Sequence, residues 1–357
     1  MAADGGKNPG LSDPLIVDGL VVVGDDEGAL RAFNSADGEE VWRYAHGARI
    51  YQRPDFDGKR IYAVSEEKGV VAVEPRNGLL LWEQTSRDGY GALAVCPAAN
   101  LVFVAGNDGL VRALDASSGE ERWATDIVKD APRDPPGFEG KRARYGEHPA
   151  RPTAAVCDDR WVFVSVFDQS RVVALDIKDG AKKFDYQTGG WVFHAAVVDD
   201  DRVFIGSQDR AMHCVKKETG EFLWSFLTEA RIESSAAVDD GKVYFASCDG
   251  VCYCVDRESG EGVWEFKTDS GDGHTRAIYS DPLLLDDTVC FAAGEGQVYA
   301  LELKTGALRW KCRPDENSEL FCSPASDGRR VFVTSRPTYE KTGKAALIAI
   351  DPYFGRR

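Results

Sequence analysis

Residues 113–123 read Ala-Leu-Asp-Ala-Ser-Ser-Gly-Glu-Glu-Arg-Trp, with a small residue six positions before a glycine and a tryptophan four positions after it. This pattern recurs in phase, in eight copies. The glycines are Gly38, Gly78, Gly119, Gly180, Gly220, Gly260, Gly306 and Gly355. The small residues are Ala32, Ala72, Ala113, Ala174, Cys214, Cys254, Ala300 and Ala349. The aromatic residues are Trp42, Trp82, Trp123, Phe184, Trp224, Trp264 and Trp310, and the eighth would fall at about position 359, past the last residue. Such a signal indicates an array of structural repeats.

Each copy belongs to a unit of four short predicted strands. In the sixth repeat these are Ser234–Val238, Lys242–Ala246, Val251–Val255 and Gly262–Phe266, which are apolar runs separated by polar turns that contain glycine. The repeat glycine suits the last hairpin, which requires a residue with positive φ. The small residue leaves room for the indole to lie flat against a neighbouring sheet. Because a single sheet would expose an apolar face, the sheets must stack, and four-strand repeats of about 40 residues are typical of β-propellers.

The motif Ala-x-Asp-x-x-x-Gly-x-x-x-Trp resembles the tryptophan-docking repeat of the PQQ-like, quinoprotein-type propeller family. The resemblance runs from about Ser12 to Gly355. It implies an all-β, eight-bladed propeller of four-stranded antiparallel blades, with each tryptophan clamped between blades and the last blade lacking its outer strand. Departures that weaken individual clamps are Phe184 for Trp, Cys214 and Cys254 for Ala, and Glu74, Lys216 and Glu302 for Asp.

The spacing of the repeats defines the domain organisation. We expect residues 1–11 to be a flexible leader and residues 12–357 to form a single ring. Gly119 and Gly180 are 61 residues apart, whereas the other neighbouring glycines are 40 to 49 apart. The difference predicts a long loop at about 126–150, where the sequence is rich in proline and charge.

The eighth repeat carries three predicted strands, at about Phe321–Ser323, Val331–Thr334 and Leu347–Ile350, and stops before its outer one. The blade could stay three-stranded, residues 1–11 could supply the fourth strand, or the chain could be a piece of a longer protein. The leader contains almost no β-forming residues, which disfavours the second alternative. An open strand edge of this kind invites pairing with another chain.

Composition restricts the partners and the compartment. The chain has 357 residues and a formal net charge of −16, which argues against a nucleic acid or an anionic membrane as partner. No apolar run is long enough for a membrane span. Nine cysteines and the lack of an apolar signal segment predict a cytoplasmic setting, or a periplasmic one if a signal segment was removed. Cys252 and Cys254 lie on the same face of one predicted strand. Because no companion Cys/His pair lies nearby, we interpret them as buried small residues and not as metal ligands.

The residues just ahead of the innermost strands should surround the mouth of the central channel. The candidate binding residues there are Arg49, Tyr51, Arg53, Tyr90, Arg151, Trp191, His194, Arg231, Glu233, Arg276, Tyr279 and Phe321. Arginines and aromatic residues are frequent in this set although the chain is acidic, and this mixture is typical of binding hot spots. Trp191 follows two glycines outside the repeat pattern, so it is either a stacking platform or buried under the long loop. His148 and His194 could be ligands or acid–base groups, but no carboxylate stands at a diagnostic spacing from either.

The resemblance leaves several functions open. A PQQ-dependent dehydrogenase of this family would need a disulfide between adjacent cysteines, a Ca²⁺ site and long excursions over the quinone. This chain has no Cys-Cys pair and few inserted residues. We therefore expect no enzymatic activity, no cofactor and no metal. The non-catalytic, BamB-like branch implies a scaffold that binds a polypeptide partner through the loop-rich face. The alternatives are a module that binds a small ligand or PQQ with Ca²⁺, and an isolated sensor or adaptor domain.

Overall fold

The computed structural model describes residues 10–65, 67–86, 88–129, 151–269, 277–316, 318–337 and 345–352. These residues form eight antiparallel sheets arranged as the blades of a propeller, which confirms the predicted fold class. In this described part of the chain, two short 3-10 segments, Pro97–Ala99 and Phe167–Gln169, connect consecutive strands. Within the described ranges, no helix has the length and apolar character that a membrane crossing requires.

The first four blades take up the chain as far as Gln187. Blade one comprises β1 (Leu15–Val17), β2 (Leu20–Gly24), β3 (Ala29–Asn34) and β4 (Glu40–Ala45). Blade two comprises β5 (Asp55–Phe56), β6 (Ile61–Ser65), β7 (Gly69–Val73) and β8 (Leu80–Thr85). Blade three comprises β9 (Tyr90–Cys96), β10 (Leu101–Gly106), β11 (Leu110–Asp115) and β12 (Glu121–Asp126). Blade four comprises β13 (Pro152–Cys157), β14 (Trp161–Val166), β15 (Arg171–Asp176) and β16 (Lys182–Gln187).

The other four blades take up the rest of the described chain. Blade five comprises β17 (Val197–Asp199), β18 (Arg202–Gly206), β19 (Ala211–Lys216) and β20 (Phe222–Leu227). Blade six comprises β21 (Ala236–Asp239), β22 (Lys242–Ala246), β23 (Val251–Asp256) and β24 (Gly262–Lys267). Blade seven comprises β25 (Leu283–Leu285), β26 (Thr288–Ala293), β27 (Gln297–Glu302) and β28 (Leu308–Cys312). Blade eight comprises β29 (Ser318–Glu319), β30 (Ala325–Ser326), β31 (Val331–Pro337) and β32 (Ala346–Ile350).

Burial within a blade depends on the position of the strand. The middle strands β6 and β7 are buried along their whole length because a blade covers each of their faces. The outer strands β4 and β8 alternate between exposed and partly buried positions, and their only buried residues are Trp42 and Trp82. The tryptophan is therefore the main contribution of an outer strand to the core.

The repeat aromatic residue links its own blade to the next one. The indole Nε1–H of Trp82 donates a hydrogen bond to the carbonyl of Ala116 at 2.9 Å, and its ring lies against Gly119. A Cβ atom on Gly119 would stand only 2.6 Å from Trp82 Cε3. Equivalent indole hydrogen bonds run from Trp42 to Pro75, Trp123 to Ile177, Trp224 to Arg257, and Trp264 to Leu303. In each case the acceptor stands three residues before the glycine of the following repeat.

The glycine and the small residue of the motif have separate roles. Gly119 has a φ of +75°, as the hairpin requires, and it also provides the flat surface on which Trp82 lies. The small residue lies directly opposite the tryptophan of its own blade, as Ala72 does opposite Trp82. The sequence predicted the positive φ but not the contact of the glycine with the indole of the preceding blade.

Phe184 occupies the docking position of blade four. Its ring lies against Gly220, so that a Cβ atom there would be 2.4 Å from Phe184 Cδ2. A phenyl ring has no N–H group, so it cannot donate to the carbonyl of Lys217, which stands three residues before Gly220. This joint therefore keeps the apolar contact of the clamp and loses its hydrogen bond.

The core is divided into hydrophobic clusters that each join two neighbouring blades. Ile50 and Ile61, for example, belong to a cluster between blades one and two. The junction of blade eight with blade one includes polar contacts. The backbone N–H of Ser323 donates to Asp13 Oδ1 at 3.0 Å, and Arg330 Nη1 donates to the carbonyl of Ala36 at 3.1 Å. These contacts join the two ends of the repeat array.

In the described part of the chain β32 pairs with β31 alone, so blade eight lacks an outer strand, as predicted. The predicted first strand, Phe321–Ser323, is wrong. These residues connect β29 and β30, which pair with opposite ends of β31. The physical reason is that Ser323 donates its N–H to Asp13, and Pro324 has no N–H to donate.

The structure describes the last two residues of the predicted leader, Gly10 and Leu11, and both contact blade one. The N–H of Gly10 donates to Asp26 Oδ2 at 2.8 Å, and Leu11 is buried and forms a bridge with Asp25. Residues 1–9 and most of the predicted loop at 126–150, including His148, lie outside the described residues.

Alanine substitutions at two repeat glycines separate backbone strain from blade docking. Gly38→Ala should cost about 1 kcal/mol, because its φ is +79° but no atom of the described residues lies within 4 Å of an added Cβ. Gly119→Ala should cost roughly 1–3 kcal/mol more, since the Cβ also collides with Trp82. Chemical denaturation of both variants would measure the difference. Equal costs would contradict the clamp described here.

The missing hydrogen bond of blade four gives a second prediction. Phe184→Trp should raise the free energy of unfolding by about 1 kcal/mol, because the new indole N–H can reach the carbonyl of Lys217. Trp224→Phe is the matched converse and should lower it by roughly 1–3 kcal/mol, since the carbonyl of Arg257 loses its donor. Thermal unfolding would measure both changes, and a loss of stability in both variants would refute the role given to the N–H.

Candidate functional site

The innermost strands and the segments leading into them surround a cavity of about 540 Å³. Its walls come from blades on opposite sides of the ring, including Arg53 of blade two, Ala154 of blade four and Ser323 of blade eight. The cavity therefore lies in the central channel. Its volume falls within the range of small-molecule pockets.

A hydrogen-bonded network covers one wall of this cavity. His194 Nδ1 lies 3.1 Å from Asp281 Oδ1, and the Asp281 oxygen also accepts the backbone N–H of Ser235 at 2.6 Å. The N–H of Asp281 donates to Ser323 Oγ at 3.0 Å, and the N–H of Ser323 donates to Asp13 Oδ1. The network connects the entries to blades one, five, six, seven and eight.

The charges of this wall depend on one another. Burial raises the pKa of Asp13, and the nearby carboxylate of Asp281 raises it further. Burial opposes ionisation of His194 and Asp281, but their mutual attraction and hydrogen bond prevail. The pKa of His194 is therefore raised, and the pKa of Asp281 is lowered. The contact between His194 and Asp281 therefore favours the charged form of both groups, whereas Asp13 beside them is the weaker acid.

The facing wall adds a second set of polar groups. Asp55 accepts hydrogen bonds from the N–H groups of Phe56 at 2.8 Å and Val95 at 3.1 Å, yet burial raises the pKa of its carboxyl group. Gln52 donates to the carbonyl of Thr153 at 3.0 Å. Arg53 is exposed and faces the cavity. The channel thus offers both cationic and anionic groups.

Several predicted mouth residues come together. Tyr51, Arg53, His194 and Phe321 line the cavity. Beside them, Arg231 Nε donates to Glu233 Oε1 at 2.6 Å, and Arg231 Nη2 is 3.5 Å from Tyr279 Oη. The rings of Tyr279 and Phe321 are 5.4 Å apart, which joins this group to the cavity rim.

Other predicted residues have different surroundings. Tyr90 is buried, and the guanidinium carbon of Arg112 lies 5.8 Å from the centre of its ring. Arg49 forms an ion pair with Asp26. Arg151 donates its backbone N–H to Asp168 Oδ1 at 3.0 Å. Arg276 lies outside the described residues.

Trp191 is half-buried in an aromatic group. Its ring centre is 4.5 Å from that of Phe167 and 6.4 Å from that of Phe193. It does not line the cavity, although Phe193 does. The structure therefore places the tryptophan beside the channel mouth and not inside it.

Sequence reasoning missed the carboxylates of the cavity. Asp13 and Asp281 each belong to a Ser-Asp-Pro-Leu sequence that directly precedes an innermost strand, at residues 12–15 and 280–283. In both copies the serine hydroxyl accepts a hydrogen bond from the second strand of its blade. The backbone N–H of Gly24 donates to Ser12 and that of Ala292 donates to Ser280, both at 2.9 Å. This repeated tetrapeptide could have identified the two aspartates as neighbours at the channel.

The described residues do not fit a quinoprotein metal centre. They contain no group of three or more His, Cys, Asp or Glu side chains arranged to hold a metal ion. All nine cysteines carry free thiols, and Cys252 and Cys254 are buried in one hydrophobic cluster. The chain also lacks the adjacent cysteines that the quinoprotein resemblance would require.

Comparison with known sequences identifies one family. A family model described as outer membrane protein assembly factor BamB matches residues 3–135 and 107–357. BamB of Xanthomonas campestris pv. campestris is 34% identical over 117 residues, which cover 30% of this chain and 28% of that protein. BamB of Shewanella oneidensis is 26% identical over 335 residues, which cover 90% of this chain and 63% of that protein. The chain thus spans less than two thirds of the length of these curated relatives.

Solved structures share the fold. The crystal structure of BamB from Moraxella catarrhalis matches with a TM-score of 0.68 and 17% identity, over 91% of this chain and 92% of that one. Quinohemoprotein alcohol dehydrogenase from Comamonas testosteroni matches with a TM-score of 0.73 and 13% identity, over 97% of this chain and 75% of that one. At these identities the likeness shows the fold alone.

The His194–Asp281 pair predicts a pH dependence of stability. Because the pKa of His194 is raised in the folded protein, its contribution is complete below the unfolded value of about 6.5 and is lost as the pH rises through the folded value. As the pH rises above 6, the free energy of unfolding should therefore decrease less in His194→Gln than in the wild type. Denaturation at several pH values would measure this.

Asp281→Asn provides the control, since it removes the charge that holds the proton on His194. Burial and the charge of Lys68 lower the pKa of His46, so its titration changes the stability in the opposite direction to that of His194. Because His46 is present in all three proteins, its effect cancels when their stabilities are compared. Identical pH profiles for wild type and His194→Gln would exclude the ion pair.

Proposed function

Because the chain belongs to the outer membrane protein assembly factor BamB family of PQQ-like propellers, we propose that it is a non-catalytic scaffold for a polypeptide partner. The binding surface is the face on which the central cavity opens. Relatives named as assembly factors support this function, and the group formed by Arg231, Glu233, Tyr279 and Phe321 supports the choice of surface.

The aromatic and arginine group at the mouth is the observation that carries the choice. Phe321 keeps 38% of its surface exposed, and its ring contacts Tyr279, which in turn lies beside Arg231. Aromatic and arginine side chains are the residue types that dominate binding energy at protein interfaces. The mouth therefore offers an anchor that the partner can bury, with charged groups around it.

The partner we propose is a polypeptide that takes part in outer membrane protein assembly. The relatives are outer membrane protein assembly factors by name, which supports this choice and favours the periplasmic alternative over the cytoplasmic setting that the cysteines suggested. The net charge of −16 is compatible with a partner that presents basic side chains.

The proposal includes no catalytic step and no cofactor. The relatives named as assembly factors support a non-enzymatic role. A second candidate, a small-ligand module, is favoured by the 540 Å³ cavity and by the mixed charges of Arg53, His194 and Asp281. Absorbance and native mass spectra with and without PQQ and Ca²⁺ distinguish the two, because only the second candidate predicts a stoichiometric complex.

The scaffold function is tested by changing the mouth. The combined variant Arg53→Ala, Arg231→Ala and Phe321→Ala should reduce recovery of envelope partner proteins in a quantitative pull-down by about tenfold or more, since hot-spot side chains each contribute over about 1 kcal/mol.

The matched control removes two arginines and one apolar residue from outer strands, as Arg43→Ala, Leu81→Ala and Arg122→Ala. These residues are exposed on β4, β8 and β12, away from the mouth. The control should recover the same proteins as the wild type. A mouth variant that recovers as much partner as the control would exclude this face as the binding surface.

A further inference from the structure

The innermost strands of blades three and four, β9 and β13, lie side by side. An added Cβ on Gly91, the second residue of β9, would stand 2.1 Å from the carbonyl oxygen of Pro152, the first residue of β13. The side-chain amide of Gln52 donates to the carbonyls of both Gly91 and Thr153. The two backbones are therefore in contact near the ends where the strands begin.

Both strands end in a cysteine at the same distance from this contact. Cys96 and Cys157 each stand five residues beyond it. Sγ of Cys96 lies 3.4 Å from the carbonyl oxygen of Asp158, and Sγ of Cys157 lies 3.2 Å from that of Val95. Each sulfur thus contacts the backbone next to the other cysteine, and a hydrogen bond joins the two thiols. This arrangement suits a disulfide, which requires neighbouring backbones whose cysteine side chains point toward each other.

The surroundings also make the pair reactive. The hydrogen bond from Cys157 lowers the pKa of Cys96. The same hydrogen bond, together with burial, raises the pKa of Cys157. The pair therefore loses its first proton more easily than an isolated thiol, and the thiolate is the species that reacts with disulfides. Because Cys157 is half-buried and Cys96 is buried, a reagent reaches Cys157 first.

We propose that Cys96 and Cys157 are a redox-active pair, which a small disulfide such as oxidised glutathione converts to a disulfide bond between blades three and four. The bond encloses residues 97–156 in a covalent loop, which restricts the unfolded chain and so stabilises the folded one. An oxidising compartment such as the periplasm maintains such bonds. The pair lies at the far end of strands that begin at the channel mouth, so it does not depend on the function proposed for that surface.

The reaction consists of two thiol–disulfide exchange steps. Cys157 Sγ attacks one sulfur of oxidised glutathione, and its proton passes through Cys96 to the glutathione thiolate that leaves. The Cys96 thiolate then attacks Cys157 Sγ and releases the second glutathione as a thiolate. The two protein thiols are thereby oxidised to one disulfide, and the oxidant is reduced to two molecules of glutathione.

Oxidation of the folded chain tests the pair. The reduced protein is incubated with oxidised glutathione, quenched with acid, unfolded and alkylated. Two of its nine thiols should be lost, and the intact mass should decrease by that of two hydrogen atoms. Peptide mapping without reductant should find Cys96 linked to Cys157. The bond should raise the midpoint of thermal unfolding by several degrees, and a reductant should restore the original midpoint.

Three variants assign the steps to individual residues. Cys157→Ser should form no disulfide within the chain, and a reductant should leave its unfolding midpoint unchanged. Cys96→Ser should stop after the first step, with one glutathione attached to Cys157. Cys312→Ala is the matched control, because it removes another half-buried thiol in blade seven and leaves the pair intact. It should lose two thiols as the wild type does.

Three results would overturn the proposal. They are the retention of all nine thiols by the wild type, a linkage that does not join Cys96 to Cys157, and equal disulfide formation in Cys157→Ser. Because the first two results concern the wild type, they decide the matter even where a variant does not fold.

The mouth variant Arg53→Ala, Arg231→Ala and Phe321→Ala should form the disulfide as the wild type does, since both cysteines lie at the opposite ends of their strands. Conversely, Cys157→Ser should recover partner proteins as the wild type does. Failure of the disulfide and failure of the scaffold function can therefore be distinguished.

Discussion

The ring depends on the contact between an indole and a glycine of the next blade. The contact combines a large apolar surface with one hydrogen bond, from Nε1 to a carbonyl three residues before the glycine, as in Trp42 and Pro75. It fixes both the distance and the angle between blades, because the flat ring must lie on the glycine while its N–H points at the carbonyl. The hydrophobic clusters between blades can then form on either side of a defined joint.

The junction between blades eight and one relies on other contacts. There the hydrogen bonds of Ser323 with Asp13 and of Arg330 with Ala36 connect the ends of the array. The polar network at the channel extends this connection through Asp281 and His194 to blades five and seven.

The channel mouth is formed by residues that are distant from one another in the sequence. The channel mouth brings Arg231, Tyr279 and Phe321 together from loops before different blades, which suits recognition of a folded or looped partner.

The sequence determined the strands and their order, because a glycine, a small residue and a tryptophan at fixed spacing constrain each hairpin locally. It also predicted that blade eight would lack an outer strand. It did not predict that Asp13 and Asp281 would share a network, since these residues lie far apart in the chain. The innermost segment at Phe321–Ser323 was wrong for the same reason: a hydrogen bond to Asp13, over 300 positions away, replaces the local strand pairing. The local repeat pattern determines the strands of each blade. Which side chains meet at the central channel is decided only when the ring closes.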